Sequence, residues 1–166
     1  MPLKTARQIS RRIIICFNDG GKILLAGNGG SAAEASHFAA ELIGKFFIAN
    51  RPPFEAIALN CNSSIITALA NDFSGNDIFA RQVIAHTKEG DVVIGLSTSG
   101  NSVNVIAGLA CAKKCGGTTV MISGNSEDRA GADLNIDIPS KSTPRVQEIT
   151  TLILHAISEI VEKELA

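Results

Sequence analysis

The chain has 166 residues, 45% of them hydrophobic and 19% charged, with a formal net charge of −1. That composition suits one domain with a real core and excludes an intrinsically disordered chain. The near-neutral charge, the lack of any Lys/Arg run longer than two and the absence of Trp and Tyr argue against a nucleic-acid partner; no segment approaches the ~20 apolar residues of a membrane span.

Residues 4–18 read as a helix ahead of the first strand. "RRIIICFND" is not a signal peptide, because its apolar run is shorter than the roughly 7–15 residues of a signal h-region. The expectation is a soluble protein of the reducing cytoplasm. Strand-like runs follow at "KILLA" (22–26), "EAIAL" (55–59), "DVVIGL" (91–96), "TTVMI" (118–122) and "LNIDI" (134–138). The first four are almost continuously apolar, as strands covered on both faces are, and each follows a Gly or Pro signal. The fifth alternates and reads as an edge strand. Helical patterns occupy 31–46, 63–70, 76–87, 102–115 and 144–164. Ser31 and Glu34 make a capping-box pattern, Ser102 reads as an N-cap, and Thr143-Pro144 reads as N-cap then N1. Alternation of strand and helix predicts an α/β fold: a three-layer sandwich with a five-stranded parallel sheet and helices on both faces. Cys16, Cys61, Cys111 and Cys115 form no C-x-x-C pair and read as buried or idle thiols.

Two loops are rich in small polar residues: "GNGGS" (27–31) after the first strand and "STSGNS" (97–102) after the third. In a flavodoxin-like strand order, 2-1-3-4-5, strands one and three flank the switch point, so both loops face one crevice. Glycines admit an anion close to the backbone, helix N-termini offer free N–H groups, and Ser97, Thr98, Ser99 and Ser102 add hydroxyls. The pattern points to a phosphate. A dinucleotide is the weaker fit. Gly27, Gly29 and Ala32 satisfy G-x-G-x-x-G/A, but the second strand ends at Leu59-Asn60 with no acid for a ribose.

His37 and Glu41 are spaced i, i+4 and project side by side on a helix. Spacing alone leaves them open as a metal pair, a base, or a solvated polar face. Gln147, Thr151 and His155 form a second stripe beside an apolar one of Val146, Ile149, Ile153, Ala156 and Ile160. His155 on that pattern is an exposed or half-buried histidine, and His86 a surface residue closing a helix.

Taken together, "GNGGSAAEASHFAAEL", "ANDF…NDIFARQV", "LSTSGNSVNVI" and "STPRVQEI…H" resemble the phosphoheptose isomerases, members of the sugar isomerase (SIS) domain superfamily. The resemblance runs over nearly the whole chain, read as a single SIS domain across 1–166. It implies an aldose–ketose isomerase converting sedoheptulose 7-phosphate to D-glycero-D-manno-heptose 7-phosphate through an enediol, the first step of bacterial heptose synthesis for lipopolysaccharide. By resemblance, Glu41 and His155 are catalytic, and His37, Glu41, Gln147 and His155 hold zinc. Asn28, Gly29, Gly30, Ser31, Asn71, Asp72, Ser97, Thr98, Ser99, Ser102 and Gln147 contact substrate. The resemblance also implies a homo-oligomer, with a tetramer favoured. There are two departures. The N-terminal helix is shorter than the family's, and Thr143-Pro144 stands where several relatives carry a carboxylate. The competing expectation is a non-catalytic SIS protein, such as a replication-initiator-associating protein or a phosphosugar-sensing module.

Overall fold

The computed structural model describes residues 2–124 and 131–166. The elements in order are α1 (Pro2–Asn18), β1 (Ile23–Gly27), α2 (Gly30–Ile43), β2 (Ala56–Ala58), α3 (Ser63–Asp72), α4 (Ile78–His86), β3 (Val92–Ser97), α5 (Val103–Lys114), β4 (Thr118–Gly124), β5 (Leu134–Ile138) and α6 (Thr143–Leu165). The strands form one parallel sheet in the order β2-β1-β3-β4-β5. This is the expected architecture, with the alternating fifth run at an edge. None of the described helices is long and apolar enough to cross a membrane.

The strands' two-residue period sorts the core into two layers. Ile23, Leu25, Val92, Ile94, Val120 and Ile122 pack against α1, α2 and α6. Leu24, Ala26, Val93 and Met121 pack with Ile78, Phe79, Val83, Val105 and Leu109 of α4 and α5. Both faces are covered, which is why the central strands read as unbroken apolar runs.

Several boundaries differ from expectation. The N-cap of α2 is Gly29, not Ser31, and no side chain caps the helix. Gly29 adopts φ 55, which a glycine tolerates without a Cβ penalty, so the turn closes two residues early and Ser31 falls in the first turn. Ser142 is the N-cap of α6, moving Thr143 to the first helical position and Pro144 to the second. α2 stops at Ile43 rather than 46, with the Gly44 N–H closing on the Ala40 carbonyl. In α6 the buried face is Val146, Thr150, Ile153, Leu154, Ile157, Ser158, Val161 and Glu162, while Ile149 of the expected apolar stripe is exposed.

Candidate active site

β1 and β3 are neighbours at the sheet centre, and the chain leaves them towards opposite edges. The crevice between them at their carboxyl ends receives both small-residue loops. Asn28 and Asn104 join the loops by a reciprocal side-chain pair, Asn28 Nδ2 to Asn104 Oδ1 at 2.8 Å and Asn104 Nδ2 to Asn28 Oδ1 at 3.0 Å. Asn104 lies just beyond the serine loop and carried no separate signal in the sequence. Ser97 is buried and its Oγ lies 2.8 Å from Ser102 Oγ. Ser102 is the N-cap of α5, as expected, but its hydroxyl makes no capping bond. The N-caps of α2 and α6 likewise make none, whereas Asn62 caps α3 through the Ile65 N–H at 3.1 Å. None of the three helices that begin around the crevice is closed by its N-cap side chain, although in α5 the Val105 N–H donates to Asn104 Oδ1 at 2.9 Å; the N–H groups left over in these first turns suit an anion. Thr98 and Ser99 line a hollow with Ser140, Lys141 and Thr143, so the β5–α6 connection adds a lysine to this end.

The second half of the site is the seam between α2 and α6. Gln147 faces Gly30, Thr151 Oγ1 donates to Glu34 Oε1 at 3.2 Å, and His155 Nε2 lies 3.1 Å from His37 Nε2. The pairings advance together along both helices, so the two run in the same direction. The Gln147 amide occupies the space that a Cβ on Gly30 would take, so a larger residue there would push that amide aside. His37 Nε2 is also 3.1 Å from Glu41 Oε1, as the i, i+4 spacing allows. Phe46 covers the His155 ring at 5.5 Å between centroids. The two histidines line a cavity of about 170 Å³ with Ala33, Glu34, Thr151 and Leu154. Burial raises the Glu34 carboxyl above its ordinary range, against the Thr151 and Ser31 hydroxyls, and its Oε2 is buried with no hydrogen-bond partner. Glu34, expected only as a capping residue, therefore lies in the cavity wall.

One donor atom from each of His37, Glu41 and His155 lies within 4.8 Å of the others. A single ring nitrogen cannot satisfy a second ring nitrogen and a carboxylate oxygen with one proton. Two imidazoles and a carboxylate make a three-ligand set of the kind catalytic zinc sites use, with a position left for substrate. These residues fit the metal. Gln147 stays at Gly30, two helical turns before His155. Asn71 and Asp72 end α3, exposed, with Asn71 Nδ2 donating to Asp72 Oδ1 at 2.8 Å. Neither makes a hydrogen bond or ion pair with the loops or the seam.

The SIS domain family model matches residues 4–124. A phosphoheptose isomerase of Clostridium acetobutylicum is 45% identical over 98% of this chain and 84% of its own. The chain belongs to the phosphoheptose isomerase family. Another member, from Mycobacterium tuberculosis, is 44% identical over the same shares of both chains. Among solved structures, the phosphoheptose isomerase of Francisella tularensis superposes with a TM-score of 0.92 at 31% identity, covering 96% of this chain and 86% of that one. The phosphoheptose isomerase of Neisseria gonorrhoeae follows with a TM-score of 0.89 at 34% identity, over 97% and 87%. The family thus matches the fold over both halves of the site, the crevice and the α2–α6 seam.

Proposed function

We propose that this chain interconverts sedoheptulose 7-phosphate and D-glycero-D-manno-heptose 7-phosphate. The observation that carries the reading is the convergence of His37, Glu41 and His155 beside an anion-suited crevice in a phosphoheptose isomerase chain. In the ketose-to-aldose direction a proton leaves C1, the 1,2-enediol forms, and a proton arrives at C2. The O1 hydroxyl gives up its proton as O1 becomes the carbonyl, and O2 gains one. Such transfers need a base and an acid within hydrogen-bond reach of adjacent carbons and oxygens. Glu41 and His155 fill those roles, each reaching into the same small volume from a different helix. The serine loop (Ser97, Thr98, Ser99 and Ser102) with Asn28, Gly29, Gly30 and Ser31 would hold the phosphate, and Gln147, Asn71 and Asp72 the sugar hydroxyls.

His37, Glu41 and His155 would hold zinc, with Gln147 joining by a swing of its amide away from Gly30. Bound there, zinc supplies Lewis-acid polarisation of the carbonyl and enediol oxygens. The exposed apolar side chains of Phe47 (67%), Leu152 (68%) and Ile15 (49%) support self-association, and a homotetramer in the cytoplasm is the form proposed.

Incubation with sedoheptulose 7-phosphate, followed by NMR of the sugar carbons, tests the reading. An aldose signal that rises with added zinc and falls with a chelator is the expected result. No aldose under either condition overturns it and favours a non-catalytic SIS module.

A further inference from the structure

One buried side-chain cluster, outside the proposed reacting groups, ties together both helices that carry them. Glu162 lies two turns beyond His155 on α6, and Arg51 lies in the connection between α2 and β2. Their ion pair, Arg51 Nε to Glu162 Oε1 at 2.8 Å, has side chains only 1% and 2% exposed. Glu162 Oε1 also accepts the Phe46 N–H at 2.8 Å, and Oε2 accepts those of Phe47 at 2.6 Å and Ile48 at 3.1 Å. Arg51 Nη2 donates to the Glu41 carbonyl at 2.6 Å and Nη1 to the Leu42 carbonyl at 2.9 Å. Nη1 also reaches the Pro52 carbonyl, and the guanidinium sits 4.3 Å over the Phe54 ring.

The bonding pattern answers why α2 ends where it does. A helix end leaves its last carbonyls without partners. Here the Arg51 fork takes two of them, at Glu41 and Leu42, while Glu162 takes the N–H groups of the segment that follows. A buried ion pair is weak evidence for stability, since desolvation offsets its attraction. What this one does beyond stability is geometric. It fixes the α2 turn that carries Glu41 and the segment whose Phe46 covers His155.

We propose that Arg51 and Glu162 are positioning residues for the isomerisation, holding Glu41 and His155 in one relative placement. This rests on the isomerase reading above. Displacements of about 1 Å at reacting groups cost on the order of 100-fold in rate, so loosening this clamp acts on kcat more than on KM.

The test compares Arg51→Lys, Phe46→Leu and, as a control, Lys22→Met. The control opens a part-buried pair with Asp91 at the opposite end of the sheet, Lys22 Nζ to Asp91 Oδ2 at 2.6 Å. Lysine keeps the charge of Arg51 but not the planar fork that reaches two carbonyls and a carboxylate together. Folding is followed by circular dichroism at 25 °C, kcat and KM on sedoheptulose 7-phosphate, and the His155 ring protons by NMR. Arg51→Lys is expected to lose about tenfold in kcat with KM nearly unchanged, and to move the His155 ring signals. Phe46→Leu shows the same pattern more weakly, and Lys22→Met loses stability with kcat and ring signals unchanged. A folded Arg51→Lys with wild-type kcat and ring signals overturns the proposal. So does a control that loses kcat as Arg51→Lys does. If Arg51→Lys does not fold, Glu162→Gln decides: wild-type kcat and His155 ring signals in that folded variant overturn the proposal. Should the wild-type chain fail to turn over this sugar, the isomerase reading falls, and the ring signals of Arg51→Lys still decide whether the clamp holds His155.

Discussion

At the amino ends of β1 and β3, Asp91 is 2% exposed and accepts three donors: the Lys22 backbone N–H at 2.9 Å, the Lys22 ammonium at 2.6 Å and the Lys88 N–H at 2.7 Å. At the carboxyl ends of the same strands, hydroxyls and amides pair with one another, and the N-cap residues of α2 and α5 make no side-chain cap. Close by on the seam, two imidazoles and a carboxylate crowd within 4.8 Å. One end buries a carboxylate and satisfies it with three donors from within the chain. The other pairs uncharged hydroxyls and amides with one another around a crevice, as a site arranged for a ligand does. The difference separates polar groups that hold the sheet from polar groups proposed to serve chemistry, although both are made of ordinary Asp, Ser, Asn and His.

The contrast breaks most visibly at the seam. Glu41→Gln and His155→Ala are each expected to lower kcat by about 10³-fold while the thermal midpoint stays level or rises. Loss of stability without loss of turnover would place these residues with the structural end instead. Asp91→Asn should do the reverse: about 3 kcal/mol lost in denaturant unfolding, with kcat on sedoheptulose 7-phosphate unchanged at 25 °C. Ser102→Ala sharpens the crevice half, raising KM by about tenfold, worth ~1.4 kcal/mol, with stability within ~1 kcal/mol of wild type. An unchanged KM would remove the serine loop from phosphate binding.

The smallest effect at neutral pH concerns Glu162. Burial alone would raise its carboxyl, but the Arg51 guanidinium and the N–H groups of Phe46, Phe47 and Ile48 outweigh that and bring it down to about 2. The unfolded carboxyl, near 4.3, takes up its proton first as pH falls. Its contribution to stability is therefore fully present above about pH 4.5 and is lost as pH drops towards 2. Urea midpoints across that window should fall in the wild type and flatten in Glu162→Gln; equal slopes would deny the pair this role.

Much of the fold was legible because burial on both faces leaves a plain mark. "KILLA" and "DVVIGL" could not sit on a half-exposed sheet, and two small-residue loops at one switch point implied the crevice. Caps were less legible. Ser31-x-x-Glu34 satisfies a capping pattern, yet Gly29 turns the chain first and Glu34 goes to the α6 seam. The i, i+4 spacing of His37 and Glu41 allowed a site without requiring one. His155 joins them only through tertiary packing, 118 residues from His37. The Arg51–Glu162 clamp, spanning 111 residues, had no local signal, because the groups it satisfies are backbone atoms that every sequence possesses.

The central claim is that Glu41 and His155 move a proton between C1 and C2 of a heptose phosphate. Isomerisation of sedoheptulose 7-phosphate run in D₂O and read by NMR tests it most directly. Wild type should yield the aldose, its C2 carrying deuterium in the proportion by which the abstracted proton exchanges with solvent before it returns, and folded Glu41→Gln should yield neither product nor exchange. Product or C1 exchange from folded Glu41→Gln at the wild-type rate would contradict it.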